Sequence, residues 1–293
     1  MAATLERGAA KAKAGGLLSD LTPHGLSAAQ FESIAATVYG ITGINLRAGK
    51  EELVKSRLVK RLRALDLDDF EQYLEYIKAD ISGREIATMV DLLTTNKTSF
   101  FRETKHFDFL RQWLRAHRGQ KMRIWSAGCS SGEEPFSIAI VICEELPGTE
   151  RGNVRVLATD ISNRMLDRAR HAVYGAQGVG DLPGGIVAKY FTCDRTGGER
   201  TYVVSEPARS LVKFAQLNLL GSWPMRGQFD LVFCRNVMIY FDIPTRKRVL
   251  AGIWQVLRPG GYLFVGHSES LLGSSKDFQY VQPAVYRKGI AKC

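Results

Sequence analysis

Cysteine is scarce in this chain, and its spacing is as informative as its number. The 293 residues include five cysteines, which are Cys129, Cys143, Cys193, Cys234 and Cys293. No two of them form a CxxC pair, the count is odd, and the separations are wide. This pattern is typical neither of a disulfide framework nor of a zinc site. We therefore expect a protein of a reducing compartment, the cytoplasm, without a bound metal.

Long apolar runs are also absent. The run over residues 138–143 ends at a pair of glutamates, far short of the ~20 residues that a membrane span needs. Basic residues lie near the N-terminus, but no apolar stretch follows them as in a secretory signal. We expect no insertion into a membrane. Residues 1–20 are rich in Ala, Gly and Lys, which predicts a disordered tail.

The charge is unevenly distributed. The formal net charge is +10; residues 1–90 contain 12 basic and 12 acidic residues, and residues 91–293 contain 28 basic and 18 acidic ones. A basic surplus favours encounters with anionic partners without choosing among nucleic acid, membrane surfaces and acidic proteins. No stretch interleaves basic with aromatic residues, as base stacking requires. We therefore expect no nucleic-acid partner.

Residues 21–90 are predicted to form a small helical domain. Apolar spacing favours helices over residues 28–38, 51–65, 70–79 and 83–93, and no alternating strand pattern interrupts them. The second helix has an apolar stripe, and three cations recur at every third position on its opposite flank. These cations are Arg57, Lys60 and Arg63. They form either a solvated basic face or a surface that docks on an acidic partner.

Residues 91–293 alternate strand and helix patterns. Strands are predicted over residues 123–127, 154–159, 211–217, 229–234, 262–266 and 280–287. The alternation predicts the α/β class, with a doubly wound, mostly parallel sheet and helices on both faces. Residues 189–210 break this rhythm, and their pattern around Gly197 and Gly198 indicates an inserted β-hairpin.

A glycine-containing loop, SAGCSSGEEP, joins the first strand to its helix over residues 126–135. It is neither the GxGxxG dinucleotide fingerprint nor a phosphate loop, because no Gly-Lys-Ser/Thr follows. Glu133 and Glu134 would repel a pyrophosphate but suit a ligand that carries positive charge, such as S-adenosylmethionine. The alternative is that both glutamates only favour the positive end of the helix.

Asp160 ends the second predicted strand, 28 residues after Gly132. In related sheets an acidic residue at this place accepts hydrogen bonds from ribose hydroxyls. The alternative is capping of the next helix, although Ser162 is equally suited to that role. We favour a ribose contact for Asp160.

Six segments carry a resemblance to a known family. They are LLTTNKTSFFRE (92–103), WSAGCSSGEEPFSIA (125–139), LATDIS (157–162), NLL (218–220), FDLVFCRNVMIYFD (229–242) and LRPGGYLFVGHSES (257–270). Together they resemble the chemotaxis receptor methyltransferase family, called CheR. TTNKTSFFRE and CRNVMIYFD are highly specific in combination, whereas LRPGGYL occurs across many methyltransferases. The resemblance covers nearly all of residues 90–272 and, more loosely, the helical domain.

The resemblance implies a Rossmann-like S-adenosylmethionine methyltransferase domain over residues 91–293, with a β-subdomain at about 189–210. It also implies a set of cofactor contacts: Asn96, Thr98, Arg102, Glu133, Asp160, Asn218, Leu219, Arg235 and Asn236. Arg102 and Tyr240 are the residues expected beside the transferred methyl group, with Phe241 as a neighbouring register. No metal is expected in the reaction.

The implied reaction converts S-adenosylmethionine to S-adenosylhomocysteine and esterifies glutamate side chains on the cytoplasmic helical bundle of chemotaxis receptors. The basic flank of the second helix would then dock on the acidic bundle, and the protein would act as a monomer. Two alternatives stay open at this point. One is a methyltransferase for RNA or a small molecule, and the other is a non-catalytic S-adenosylmethionine-binding adaptor.

Overall fold

The computed structural model describes residues 25–195, 198–271 and 277–289. The predicted tail over residues 1–20, Gly197 of the predicted hairpin and Cys293 lie outside these ranges. Among the described residues, no helix has the length and apolar character needed to cross a membrane.

The first part of the chain contains four helices: α1 (Ala28–Thr42), α2 (Glu51–Ala64), α3 (Phe70–Ala79) and α4 (Arg84–Leu93). A capping box between Ser27 and Gln30 starts α1, and the Asp69 carboxylate caps α3. The apolar faces pack into one core that contains Ile34, Leu58 and fully buried neighbours. Helix α1 extends four residues beyond the predicted end at residue 38.

Gly43 ends α1 in the left-handed conformation, with φ of 71°. A Cβ atom there would lie 2.6 Å from Cδ1 of Leu220 and 2.7 Å from Cγ2 of Thr245. Both neighbours belong to the sheet domain. The glycine therefore permits a turn and a close approach of the helical domain to the sheet domain at one position.

The remainder is built on a seven-stranded sheet, and its elements are, in chain order, α5 (Lys105–Ala116), β1 (Met122–Ala127), α6 (Glu133–Glu145), α7 (Gly148–Arg151), β2 (Val154–Asp160), α8 (Asn163–His171), β3 (Val173–Gly175), α9 (Ala176–Val179), α10 (Gly184–Tyr190), β4 (Phe191–Asp194), β5 (Thr201–Val204), α11 (Glu206–Arg209), β6 (Val212–Gln216), β7 (Phe229–Phe233), α12 (Ile243–Val256), β8 (Leu257–Phe264), β9 (Phe278–Gln282) and β10 (Val285–Lys288).

The strand order of the main sheet is β6-β2-β1-β7-β8-β10-β9. The first five strands are parallel, and β10 is antiparallel to both β8 and β9. One apolar core packs α5 and α6 against one face, and a second packs α12 against the other. The predicted doubly wound, mostly parallel α/β fold is confirmed.

Two details of the sheet differ from the predictions. The single last strand expected over residues 280–287 is two strands, β9 and β10, which are joined by a turn in which Ala284 has φ of 62°. The inserted element is not a hairpin over residues 189–210 but a three-stranded antiparallel sheet in the order β3-β5-β4. Its first strand, β3, has only three residues, which is too short to produce a recognisable alternation.

The order of the parallel strands reverses between β1 and β7, which flank the sheet's topological switch point. Gly128 follows β1 there with φ of 82°, and a Cβ atom would lie 2.4 Å from Cγ2 of Val237 in the loop after β7. The two loops therefore meet at the carboxyl ends of their strands, where ligands bind in open α/β sheets.

Candidate active site

A cavity opens at this switch point, between the loops after β1, β2 and β7 and the helical domain. Most of the predicted cofactor and methyl-site residues line it: Asn96, Thr98, Arg102, Asp160, Leu219, Arg235, Asn236 and Tyr240. These residues come from four segments that are far apart in the sequence and converge on one concave surface.

Asp160 is buried at the end of β2, and backbone amides hold both of its carboxylate oxygens. The amide of Ser130 donates to Oδ2 at 2.8 Å, and that of Ser162 donates to Oδ1 at 2.9 Å. Burial raises the pKa of Asp160, although these amides lower it. The Ser162 hydroxyl accepts from the amide of Met165 and caps α8, so Asp160 is not needed for that role.

Arg235 follows β7 and forms the centre of a buried ionic cluster. Its Nη1 donates to Oε2 of Glu134 at 3.0 Å, and its Nη2 donates to Oε2 of Glu103 at 3.0 Å and to the carbonyl of Arg102. Burial raises the pKa of Glu134, whereas the guanidinium lowers it. The pKa of Glu103 is lowered overall, because the amide of His267 and Arg235 together outweigh burial.

Glu269 fixes the turn that carries these residues. Its buried carboxylate accepts from the amides of Gly266 at 2.5 Å, Asn236 at 2.8 Å and Ile239 at 3.0 Å. Burial raises its pKa, against the effect of these amides. Asn236 has φ of 58°, which is uncommon for a residue with a side chain. Glu269 belongs to the GHSES segment, but the sequence pattern did not show that it would organise the loop after β7.

The structure separates the two aromatic candidates. Tyr240 lines the cavity, whereas Phe241 is buried in the core beneath it. The amide of Asn45 in the helical domain donates to the Tyr240 carbonyl at 2.9 Å, and Ile44 pairs with Phe241 in an antiparallel bridge. The helical domain therefore helps to hold Tyr240.

The loop between the domains contributes Asn96, Thr98 and Arg102. Nδ2 of Asn96 donates to Oγ1 of Thr94 at 3.1 Å, and the Ser130 hydroxyl donates to the carbonyl of Asn96 at 2.9 Å. Nη1 of Arg102 donates to the carbonyl of Lys97 at 3.1 Å. The Arg102 side chain is half-buried and lines the cavity.

Two predicted cofactor contacts lie elsewhere. Glu133 does not line the cavity; its oxygens accept from the Ser131 hydroxyl at 2.7 and 3.0 Å, in a second cavity beside α8 and β3. Successive helical positions point about 100° apart, so Glu134 faces the main cavity instead. Nδ2 of Asn218 donates to the carbonyl of Ile41 at 2.6 Å, and Leu217 and Leu219 on either side of it line the cavity.

The predicted docking cations also have different surroundings. Lys60 and Arg63 are exposed on α2, whereas the half-buried Arg57 donates to the carbonyls of Leu93 and Thr94 and to the hydroxyl of Thr95. Sequence periodicity placed all three on one flank but did not show that one of them contacts the next loop.

The helical domain supplies a wall of the cavity that was not predicted. This wall consists of Ile44, Asn45, Leu46, Lys50 and Leu53. Its residues are set against the sheet domain by packing between distant segments, so no local sequence signal marks them.

One group of potential metal ligands occurs among the described residues. Ligand atoms of Glu103, His106 and His267 lie within 4.8 Å of one another. The guanidinium of Arg235, 3.0 Å from Glu103, already pairs with this carboxylate. Burial lowers the pKa of His106 to about 3, so that its imidazole is neutral at physiological pH.

Two cysteines beside the site are buried as well. Burial raises the pKa of the Cys129 and Cys234 thiols, and both thiols stay protonated.

The lining fits S-adenosylmethionine. Asp160 offers a buried carboxylate to ribose hydroxyls, Ile161, Leu217 and Leu219 offer apolar surface to an adenine ring, and Glu134 offers negative charge to a cationic ligand. The cavity is thus mainly apolar, with a few convergent charged groups, as nucleoside sites are.

Comparisons with known proteins agree with this geometry. The model for the SAM binding domain of CheR methyltransferase matches residues 96–287, and that for the all-alpha domain of CheR methyltransferase matches residues 29–94. The chemotaxis protein methyltransferase of Klebsiella aerogenes is 40% identical over 89% of this chain and 90% of its own length. Chemotaxis protein methyltransferase 2 of Pseudomonas aeruginosa is 41% identical, over 87% and 91%. The Escherichia coli chemotaxis protein methyltransferase is 38% identical, over 89% and 91%. This chain belongs to the CheR methyltransferase family.

Proposed function

We propose that this protein transfers a methyl group from S-adenosylmethionine to glutamate side chains of chemotaxis receptors, forming methyl esters. The observation that carries the proposal is the charge at the cavity. Lys50, Lys97 and Arg102 line it, and none of them forms an ion pair with another described residue. Three cations without an ion-pair partner favour an anionic methyl acceptor. The resemblance to the CheR family implies that this anion is a carboxylate.

The acceptor needs no general base. A glutamate has a reference pKa of ~4.3, so it is already ionised at neutral pH and has no proton to lose. S-adenosylmethionine supplies a methyl group on a positively charged sulfur. A carboxylate oxygen forms a bond to the methyl carbon as the carbon–sulfur bond breaks, and the products are a methyl ester and the neutral thioether S-adenosylhomocysteine. The protein's task is therefore positioning and exclusion of water.

Each lining residue has a role in that task. Asp160, Glu134 and the apolar residues Leu217 and Leu219 would hold the cofactor. Arg102 would orient the acceptor carboxylate with two parallel hydrogen bonds. Its grip must be moderate, because a strong pair would stabilise the ground state as well as the transition state. Tyr240 would border the methyl group from the side of the helical domain.

The test uses purified protein, methyl-labelled S-adenosylmethionine and membranes that contain chemoreceptors from the same cell. Mild base releases methyl esters as volatile methanol. Base-labile label on receptor protein is the expected result. Base-stable label, or label on RNA or a small molecule, would overturn the proposed acceptor, and cofactor binding without any label would favour the adaptor alternative.

Arg102→Ala tests the orienting role. We expect kcat to fall at least about 100-fold, the magnitude seen when one positioned hydrogen-bond donor is lost from an active site. Arg84→Ala is the matched control, since Arg84 is an exposed arginine on α4 that does not line the cavity. A normal kcat with only a raised KM for cofactor would show that Arg102 binds cofactor but does not orient the acceptor.

A further inference from the structure

Arg57 differs from the other cations of the α2 flank in what it contacts. Its Nη1 donates to the carbonyl of Leu93 at 2.8 Å and to that of Thr94 at 3.0 Å, and its Nη2 donates to Oγ1 of Thr95 at 3.2 Å. Both guanidinium edges are thus directed at one short segment of chain. The planar fork of arginine suits such multiple bonding, whereas an ammonium group would make single bonds.

The segment that Arg57 contacts is the end of α4 and the start of the cofactor loop, which we define as residues 94–98. The last carbonyls of a helix lack intrahelical partners and carry partial negative charge, so a guanidinium stabilises them. All five residues of the cofactor loop line the cavity. Arg57 itself does not line it, and it belongs to the helical domain.

The cofactor loop depends on side chains for its conformation. Within the described ranges, residues 95–98 take part in no backbone–backbone hydrogen bond. The Ser130 hydroxyl holds the loop from the sheet domain, through the carbonyl of Asn96 at 2.9 Å, and Arg102 donates to the carbonyl of Lys97. Arg57 holds the start of the same loop from the helical domain.

We infer that Arg57 is a positioning residue for the cofactor loop, and that the helical domain uses it to set the affinity for S-adenosylmethionine. Arg57 fixes the cofactor loop before the cofactor binds, so that Asn96 and Thr98 already lie against the cavity. Without Arg57 the loop must be ordered during binding, and the entropy lost in that ordering lowers affinity. Lys60 and Arg63 remain on the exposed part of the flank. Helix α2 thus positions the cofactor loop through Arg57 and would dock on the receptor through Lys60 and Arg63.

The decisive measurement is the affinity of Arg57→Ala for S-adenosylhomocysteine, by calorimetric titration of the full chain without receptor. We expect about tenfold weaker binding, since three hydrogen bonds from a charged donor are lost. Lys78→Ala is the matched control, because Lys78 is an exposed cation of the same domain on α3 and does not line the cavity. Its affinity should stay within about twofold of the parent.

A second variant separates geometry from charge. Arg57→Lys keeps the charge but loses the fork, and we expect its affinity to remain several-fold below that of the parent. The deficit of both variants should persist near 1 M salt, where exposed charges are screened within ~3 Å. If Arg57→Ala does not fold, as judged by circular dichroism, Arg57→Lys provides the measurement.

Affinity of Arg57→Ala within about twofold of the parent would overturn the inference. Full recovery in Arg57→Lys would also overturn it, because the charge alone would then suffice. The titration contains no methyl acceptor, so its outcome is independent of whether receptor glutamates are the substrate.

Discussion

The cavity has two walls of different character. The sheet wall contains the buried charged groups Asp160 and Arg235 and the half-buried Glu134, which backbone amides and ion pairs hold in place. The helical wall contains Leu46, Lys50 and Leu53, which are half-buried or exposed. Groups of the first kind cannot be removed without leaving a buried partner unpaired, whereas groups of the second kind can. The sheet wall should therefore determine folding and binding together, and the helical wall should adjust affinity and partner docking.

The largest expected effect on stability follows from the replacement of Arg235, whose side chain is 2% exposed. Arg235→Met would leave the carboxylates of Glu103 and Glu134, each 12% exposed, without their cation. We expect the free energy of unfolding to fall by about 3–5 kcal/mol, measured by urea denaturation. The control, Arg84→Met, replaces an exposed arginine and should change it by less than about 0.5 kcal/mol. A loss below about 1 kcal/mol for Arg235→Met would show that the sheet wall tolerates unpaired charge.

Asp160→Asn tests the contribution of the sheet wall to ligand affinity. The amide keeps the size of the side chain but cannot accept as strongly from ribose hydroxyls, and its NH₂ group faces the amides of Ser130 or Ser162. We expect S-adenosylhomocysteine to bind about 10–100-fold more weakly, since hydrogen bonds to a charged group contribute about 1.5–3 kcal/mol each. Asp167→Asn, on the exposed side of α8 and outside the main cavity, is the control. Equal affinities for the two variants would contradict the ribose contact.

The pH dependence of binding follows from the direction of one pKa shift. Burial raises the pKa of Asp160 above its ordinary value of ~3.9. At a pH between the ordinary pKa and the raised pKa, Asp160 is protonated in the folded chain and ionised in the unfolded chain. The free energy of unfolding therefore falls as the pH rises through this interval. Cofactor binding favours the ionised form and therefore weakens as the pH falls through the raised pKa. Titrations from pH 8 to about 4 should show a loss of affinity at the acidic end that Asp160→Asn does not show.

The contrast between the walls also explains what was predictable from sequence. Strand and helix alternation indicated the sheet, and the end of the second predicted strand indicated Asp160, because consecutive residues determine where a strand ends. The family resemblance implied Arg235 and Asn236, and all three residues line the cavity. The ends of β9 and β10 and the short β3 were missed, since three to five residues give little periodicity. Glu269 and the helical wall were missed for another reason. Their positions depend on contacts between segments far apart in the chain, which a local pattern does not contain.

Charge reversal on the exposed flank of α2 tests the outer side of the helical domain. The double variant Lys60→Glu, Arg63→Glu should slow receptor methylation about fivefold at low salt, since each exposed ion pair contributes roughly 0.2–1 kcal/mol. The difference should shrink at high salt, where exposed charges are screened. Lys78→Glu, on the neighbouring helix α3, provides the control for net charge. A rate equal to that of the parent would make this flank a solvated face and not a docking surface.

The smallest effect on S-adenosylhomocysteine affinity is expected for the substitution of Glu133. Glu133 and Glu134 are adjacent in α6, but only Glu134 lines the main cavity and contacts Arg235. Glu133→Gln should change S-adenosylhomocysteine affinity by less than about twofold, because the Glu133 carboxylate accepts from the Ser131 hydroxyl and does not line the main cavity. Glu134→Gln should weaken both binding and folding, because the amide can no longer neutralise the buried guanidinium. A loss of affinity confined to Glu133→Gln would mean that the cofactor extends toward the second cavity, which Glu133 lines. The sheet wall of the cofactor site would then include Glu133 and not Glu134.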